Sequence, residues 1–210
     1  MKNLNYKSLT SKTRLYNLDI PIIAITGGIG TGKTQASSFL RKLGKKIICA
    51  DSLVKKIYKT DEAKELIRKI APDAINDDSI NFRILRSLFF NDLSIKQKVE
   101  QYIYSKLHSF FTHEVSEQDK VIFYDVPLLF EKKLDDKVDY SILIYCDEKN
   151  QVNRIVSRDK ITPEKAKKII SCQIPIDKKI KISDHIIYNT STIKELEINL
   201  QIFLNEILKV

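Results

Sequence analysis

A cluster of glycines is the feature that most limits how this chain can fold. The 210-residue sequence contains five glycines, and four of them lie within six residues: Gly27, Gly28, Gly30 and Gly32. Glycine loses the most backbone entropy on folding and adds no side chain to a core, so the cluster indicates a backbone that turns sharply or approaches a ligand closely. The β-branched run at 20–26 predicts a buried strand before it, and apolar spacing at 33–43 predicts a helix after it.

The segment GGIGTGKT, residues 27–34, fits the phosphate-binding pattern G-x-x-x-x-G-K-[ST] in the strand-loop-helix context that the pattern requires. Main-chain N–H groups of such a loop converge on phosphate oxygens, and the helix N-terminus adds positive potential. We expect Lys33 to neutralise charge on the transferred phosphoryl group and the Thr34 hydroxyl to bind Mg²⁺. The sequence thus predicts a nucleoside-triphosphate site, with water, an amine, a sugar, a nucleotide or a protein as the open choices of acceptor.

A second strand, predicted in KKIICAD, ends at Asp51. Because the carboxyl ends of parallel strands line the ligand crevice, we expect this carboxylate to face the phosphate loop. An aspartate there can orient an acceptor hydroxyl and take its proton late in a loose transition state. The alternative is that Asp51 caps a helix beginning at Ser52.

The remaining pattern predicts an α/β protein. Strand signals vanish between residues 52 and 117, where apolar residues recur at helical spacing, and they return at 120–131 and 138–147. A charged helical pair follows, then a last strand in DHIIYN and a helix whose Thr192 and Glu195 form a capping box.

We predict a three-layer P-loop NTPase core with a five-stranded parallel sheet, a helical insertion, which a family resemblance implies to be substrate-binding, and a small helical lid. The predicted boundaries are a tail at 1–19, a core at 20–60, 118–147 and 182–210, an insertion at 61–117 and a lid at 148–181.

The charged-residue composition limits the classes of partner that this protein is expected to bind. The formal net charge of +9, from 36 Lys and Arg against 27 Asp and Glu, favours anionic ligands such as nucleotides and phosphate-bearing coenzymes. The basic residues are dispersed and form no nucleic-acid-binding motif, so no nucleic-acid partner is expected.

The three cysteines are odd in number and widely spaced, which fits neither a disulfide framework nor a metal site. No membrane partner is expected, because the sequence has no run of 18 apolar residues and no secretion signal, and we expect a cytoplasmic protein with a solvated N-terminal tail.

The motifs ITGGIGTGKT, ICAD and DVPLLFE together resemble the dephospho-coenzyme A kinase family, over residues 22 to about 204. PLLFE is the most specific of them, since many kinases share the phosphate loop. The resemblance implies ATP-dependent phosphorylation of the ribose 3′-hydroxyl of dephospho-CoA, giving CoA and ADP, with Mg²⁺ as cofactor.

The resemblance also implies roles by position. Asp51 matches the catalytic aspartate, and Gln173 and Lys179 match lid positions on the substrate side. Residues expected to bind ATP are Gly28, Ile29, Gly30, Thr31, Gly32, Lys33, Thr34, Gln35, Arg154, Arg158 and Asn189. Residues expected to line the acceptor pocket are Pro127, Leu128, Leu129, Phe130 and Glu131; ordinary core packing is the alternative for their apolar members.

Helical geometry supports a lid independently. Arg154 and Arg158 are four residues apart on one helical face, so both guanidinium groups could converge on phosphoryl oxygens as the segment closes, with Arg154 taking part in catalysis. The alternative is a solvated basic face paired with Glu148 and Asp159. Asp125, at the end of the third predicted strand of the core, could contact the Mg²⁺ shell through water.

The sequence departs from the family pattern at two places. Cys49 stands where the family usually has an acidic residue, and Tyr104-Ser105 stands, by spacing, where it has a His-Pro pair. The second departure keeps open the hypothesis of a related nucleoside-monophosphate or small-metabolite kinase. The net charge of +9 keeps open that of a non-catalytic ATP-binding regulator or basic nucleic-acid-associated protein.

Overall fold

The computed structural model describes residues 7–205. These residues divide into two compact units, one formed by the described parts of Met1–Cys49 and Glu117–Val210 and the other by Ala50–Ser116. Elements are numbered in chain order across both units. Among residues 7–205, no helix combines the length and the apolar character needed to cross a bilayer.

The first unit is built on one parallel sheet. Its strands are β1 (Ile22–Thr26), β2 (Ile47–Cys49), β5 (Ile122–Asp125), β6 (Tyr140–Tyr145) and β7 (His185–Tyr188). They lie in the order β2–β5–β1–β6–β7, and every neighbouring pair is parallel. The predicted second strand was too long, because the chain turns into a helix at Ala50, directly after Cys49.

Helices flank this sheet, and they are α1 (Lys33–Lys42), α6 (Glu148–Asp159), α7 (Pro163–Ser171), α8 (Ile176–Ile182) and α9 (Ile193–Phe203). The strand β1 is buried along its whole length, as expected for a central strand covered on both faces. Its Ile23 and Ile25 share a core cluster with Leu40 of α1 and Leu200 of α9. The predicted α/β class and five-stranded parallel sheet are confirmed.

Capping residues define the helix starts. Thr162 accepts a hydrogen bond from the Lys165 N–H, directly before Pro163 at the first helical position. Thr192 likewise accepts from the Glu195 N–H at the start of α9. The helix α8 was not predicted, since its seven residues are too few for a periodic signal.

The second unit is mostly helical. It contains α2 (Ala50–Tyr58), α3 (Asp61–Ile70), α4 (Phe82–Asn91) and α5 (Leu93–Glu114). A short antiparallel hairpin, β3 (Ile75–Asn76) with β4 (Ser79–Ile80), corrects the expectation that this region has no strands. Its Asp77 and Asp78 adopt positive φ values of 42° and 61°, which suits a tight two-residue turn.

The segment before β1 is packed rather than solvated. The Arg14 guanidinium donates to both carboxylate oxygens of Asp139, at 2.7 and 2.8 Å, and to the carbonyl oxygens of Leu9 and Leu18. Asp139 also accepts from the Ile22 N–H at 2.8 Å, so this ion pair ties the segment to the start of β1. The expectation of a solvated tail is therefore wrong for its described part, and residues 1–6 lie outside the described residues.

Candidate active site

The glycine loop joins β1 to α1 at the carboxyl edge of the sheet. Gly30 and Gly32 have φ values of +79° and +93°, a conformation that residues with side chains rarely adopt. A Cβ atom on Gly30 would lie 2.9 Å from the main-chain oxygen of Gln151, and one on Gly32 would collide with the side-chain amide of Asn189. The loop therefore needs glycine both for its backbone conformation and for its close neighbours.

Lys33, the first residue of α1, forms an ion pair with Asp125 at the end of β5. The other carboxylate oxygen of Asp125 accepts a hydrogen bond of 2.7 Å from the Ser37 hydroxyl, one turn further along α1. Asp125 and Ser37 are buried, and the Lys33 side chain is 12% exposed. The phosphate-loop lysine is thus held by a carboxylate whose orientation is fixed by a second hydrogen bond.

Arg154 and Asn189 hold the loop from the other side. Arg154 donates to the carbonyl oxygens of Gly30 and Thr31, each at 3.3 Å, and to that of Asn189 at 2.9 Å. The Asn189 side-chain amide donates to the Thr31 carbonyl oxygen at 2.7 Å. Arg158 takes no part in this network: it is exposed, and it pairs with its neighbour Asp159, whose hydrogen bonds raise the pKa of Arg158. The two arginines therefore have different partners, and Arg158 resembles the solvated alternative.

The peptide groups of Ile29 are bound by two glutamines. The Ile29 N–H donates to the side-chain oxygen of Gln173 at 2.9 Å, and the Ile29 carbonyl accepts from the side-chain nitrogen of Gln151 at 2.7 Å. Gln151 lies in α6, and Gln173 lies in the connection between α7 and α8. Helix α6 and the connection between α7 and α8 thereby contact the glycine loop through side chains that bind its backbone.

Glu131 binds the same connection. Its Oε1 accepts a hydrogen bond from the Ile174 N–H at 3.0 Å and lies 2.7 Å from the ammonium nitrogen of Lys179. The Lys179 side chain is completely buried, and that of Glu131 is 16% exposed. The last residue of PLLFE and the predicted lid lysine are thus brought together in a buried ion pair.

The other residues of PLLFE differ in exposure. Leu129 and Phe130 are buried and Leu128 is 36% exposed, while Pro127 is partly buried. The core-packing alternative therefore describes Leu129 and Phe130, and Leu128 is the apolar side chain that remains accessible.

Thr34 and Gln35 lie in the exposed first turn of α1, directly after Lys33. Oxygen ligands suit Mg²⁺, which usually keeps several waters and takes one or two protein ligands with the substrate phosphates. The hydroxyl of exposed Thr34 is an oxygen ligand of this kind, while both carboxylate oxygens of Asp125 are already bound, one by Lys33 and one by Ser37. No cluster of three His, Cys, Asp or Glu suited to a metal occurs within residues 7–205.

Asp51 belongs to the second unit. It lies in the first turn of α2, which begins at Ala50, so it does not cap a helix at Ser52. A carboxylate in this position is favoured by the helix dipole, and the side chain is exposed. Tyr104 and Ser105 lie in α5 of the same unit, and both are exposed.

Cys146 lies under the glycine loop, with its sulfur 3.7 Å from the Gly30 carbonyl oxygen. Burial raises the pKa of this thiol to about 11. Cys146 is therefore a neutral packing residue. Cys49 is partly buried, and Cys172 is exposed.

Sequence reasoning missed Ser37 and Gln151. Ser37 carries no motif signal, since a serine inside a helix is usually solvated. Gln151 did carry a signal in the sequence, because it precedes Arg154 by three residues and therefore lies on the same helical face.

Known proteins match most of this chain. A sequence model of the family described as dephospho-CoA kinase matches residues 21–195. A dephospho-CoA kinase of Fusobacterium nucleatum is 36% identical over 183 residues, which cover 85% of this chain and 94% of that protein. The solved dephospho-CoA kinase from Campylobacter jejuni has a TM-score of 0.68 at 26% identity, covering 90% of this chain and 97% of the other. A crystal structure from Thermus thermophilus has a TM-score of 0.80 at 25% identity, with 90% and 98% coverage.

The parallel sheet, the glycine loop and Lys33 at the start of α1 define a P-loop kinase. The matches then identify the kind of kinase. This chain belongs to the dephospho-CoA kinase family.

Proposed function

We propose that this protein phosphorylates the ribose 3′-hydroxyl of dephospho-CoA with ATP, giving CoA and ADP in the cytoplasm. One observation carries the proposal: the ion-paired Lys33 at the glycine loop occurs in a chain that matches the dephospho-CoA kinase family over residues 21–195. Mg²⁺ would be held with ATP by the Thr34 hydroxyl and would neutralise charge on the phosphates.

On the donor side, Gly28 to Gln35 form the proposed phosphate cradle. Backbone N–H groups of this loop and the N-terminus of α1 bind the phosphates, and Lys33 moves from Asp125 to the transferred phosphoryl group. Thr34 is the proposed Mg²⁺ ligand. Arg154 already contacts the loop carbonyls of Gly30 and Thr31, so a small movement brings its guanidinium to a phosphate oxygen.

Asn189 and Arg158 complete the proposed ATP site. Asn189 is anchored to Thr31, which supports a position next to the nucleotide. Arg158 would have to leave its exposed pair with Asp159, and exposed ion pairs of this kind are weak enough to exchange.

On the acceptor side, Asp51 is the proposed group that orients the 3′-hydroxyl and takes its proton. Asp51 lies in the first turn of α2, two residues after Cys49 at the end of β2. Cys49 in turn lies beside Asp125 in the register of the sheet. Leu128 is the exposed apolar residue of the proposed acceptor loop 127–131. Lys179 and the main-chain N–H of Ile174, the neighbour of Gln173, contact that loop through Glu131.

An acceptor panel tests the proposal. ADP release is measured with dephospho-CoA, AMP, CMP and shikimate at equal concentrations, with ATP and Mg²⁺ present throughout. The expected result is acceptor-stimulated release with dephospho-CoA alone, together with a product that carries a 3′-phosphate. Stimulation by another acceptor and none by dephospho-CoA would overturn the proposal.

A further inference from the structure

The connection between α7 and α8, residues 172–175, touches two loops through consecutive residues. Gln173 accepts a hydrogen bond from the Ile29 N–H of the glycine loop at 2.9 Å. Ile174 donates its own N–H to Glu131, which ends the loop after β5, at 3.0 Å. One short segment therefore spans the proposed donor and acceptor loops.

The Ile29 N–H belongs to the run of loop amides that a phosphate-binding loop uses for phosphate oxygens. In this structure the side-chain oxygen of Gln173 accepts the hydrogen bond from the Ile29 N–H. One N–H cannot make a full hydrogen bond to an amide oxygen and a phosphate oxygen along the same direction. Gln173 is therefore positioned to compete with a phosphate oxygen for Ile29.

At Ile174 the connection is held by an acceptor, Glu131, that is itself part of a buried ion pair. Glu131 Oε1 binds both the Ile174 N–H and the buried ammonium of Lys179. Removing either member of a buried ion pair is costly, because the remaining charge has no partner. A shift of the loop at 127–131 would thus carry the connection with it.

The hydrogen bonding of this network is incomplete. Among the described residues of the first unit, the buried side-chain atoms without a hydrogen-bond partner are Glu131 Oε2, Gln151 Oε1 and Lys179 Nζ. The Lys179 ammonium is nonetheless ion-paired with Glu131 at 2.7 Å. All three atoms belong to residues that hold the connection or Ile29. Unpaired buried polar atoms are costly, so a rearrangement that gave them partners would be favoured.

We propose that the 172–175 connection couples the two substrates: acceptor binding at 127–131 draws Gln173 away from Ile29 through Glu131, which frees the Ile29 N–H for the terminal phosphate of ATP. Gln173 and Glu131 are positioning residues in this scheme. It rests on the proposed function only through the identity of the acceptor. By linkage, ATP strengthens acceptor binding by the same factor.

The test is calorimetric titration of the full chain with a non-hydrolysable ATP analogue, with and without dephospho-CoA. For the wild type we expect dephospho-CoA to tighten binding of the analogue about three- to tenfold, the equivalent of one hydrogen bond. For Gln173→Ala we expect the analogue alone to bind tighter than to the wild type, with little further gain from dephospho-CoA. ADP lacks the terminal phosphate, so its affinity should differ less between Gln173→Ala and the wild type than the affinity of the analogue does.

Gln201→Ala, the same substitution in α9, is the matched control and should behave as the wild type does. Glu131→Gln is expected to lose the coupling while binding the analogue as the wild type does without acceptor; thermal melting reports whether this variant is folded. Because Gln173 is partly exposed, we expect Gln173→Ala to fold, so this variant alone tests the proposal. An affinity for the analogue that is unchanged or weaker than that of the wild type overturns the proposal. Failure of the proposed function would differ, since dephospho-CoA would then neither bind nor be phosphorylated while the Gln173 effect on the analogue persisted.

Discussion

The Ser37 hydroxyl lies 2.7 Å from Oδ2 of Asp125 and donates a hydrogen bond to it, while Oδ1 of the same carboxylate pairs with Lys33. Ser37 and Lys33 are both on α1, one turn apart, and Asp125 ends the neighbouring strand of β1. The carboxylate therefore bridges the sheet to the helix that carries the phosphate-loop lysine.

Ser37→Ala removes that hydrogen bond from a buried carboxylate. We expect the free energy of unfolding to fall by about 1.5–3 kcal/mol, as is usual for a bond to a charged group. Urea denaturation without nucleotide measures it. Ser38→Ala is the control, because Ser38 is the next residue of the helix and is exposed. Equal stability of the two variants would show that Ser37 does not support Asp125.

Asp51→Asn keeps the shape of the side chain but removes its ability to accept a proton. If Asp51 is the proposed base, kcat should fall by about a hundredfold or more, since positioned acid–base groups contribute at this level. ATP affinity should stay within about twofold, because Asp51 is proposed to bind the acceptor and not the donor. Steady-state kinetics and calorimetry measure the two effects. Asp61→Asn, at an exposed first-turn position of α3, should alter neither, and a near-normal kcat for Asp51→Asn would exclude the base assignment.

Arg14→Ala leaves Asp139 as a buried carboxylate without its cation. Breaking a buried pair in this way costs about 3–5 kcal/mol. The same loss in unfolding free energy is expected here, since Arg14 is 8% exposed and Asp139 3%. Chemical denaturation measures it against Arg86→Ala, an exposed position in the middle of α4, which should change stability by less than about 0.5 kcal/mol. A small loss for Arg14→Ala would mean that the N-terminal segment packs only weakly on the sheet.

The cysteines are expected to differ in reactivity toward iodoacetamide, which attacks the thiolate. Burial raises the pKa of Cys146 to about 11 from an ordinary value of 9.0, so this thiol stays protonated and covered at pH 8. Peptide mass spectrometry should find exposed Cys172 labelled first and Cys146 labelled only after urea is added. Because the unfolded chain releases the Cys146 proton first, this group also makes stability fall as pH rises from about 9 to 11. Equal labelling rates in the native protein would contradict the burial of Cys146.

The part of the site closest to the glycine cluster could be predicted from the sequence because local spacing fixes it. A strand, a glycine loop and Lys33 follow one another without interruption, so their order in the chain already gives their order in space. The end of β2 at Cys49 could not be predicted this way. Ala50 and Asp51 fit a strand end or a helix start equally well, and packing within each unit decided between them.

The partner atoms of contacts between distant residues could not be predicted from the sequence. Gln151 and Gln173 bind main-chain atoms of Ile29, and any residue can offer such atoms, so the pairing leaves no trace in residue type. Arg14 and Asp139 likewise join segments that lie far apart along the chain. A basic residue in a polar segment predicts a solvated tail unless its acidic partner is known.

The space that Gly32 leaves open is filled by the side-chain amide of Asn189, which donates from there to the Thr31 carbonyl. A side chain at position 32 would expel that amide and leave the carbonyl with only the longer hydrogen bond from Arg154. A substitution at either position therefore constrains the residue that is tolerated at the other. Across the relatives of this chain, glycine at 32 and asparagine at 189 should be inherited together, and a lineage that loses one is expected to have replaced the other.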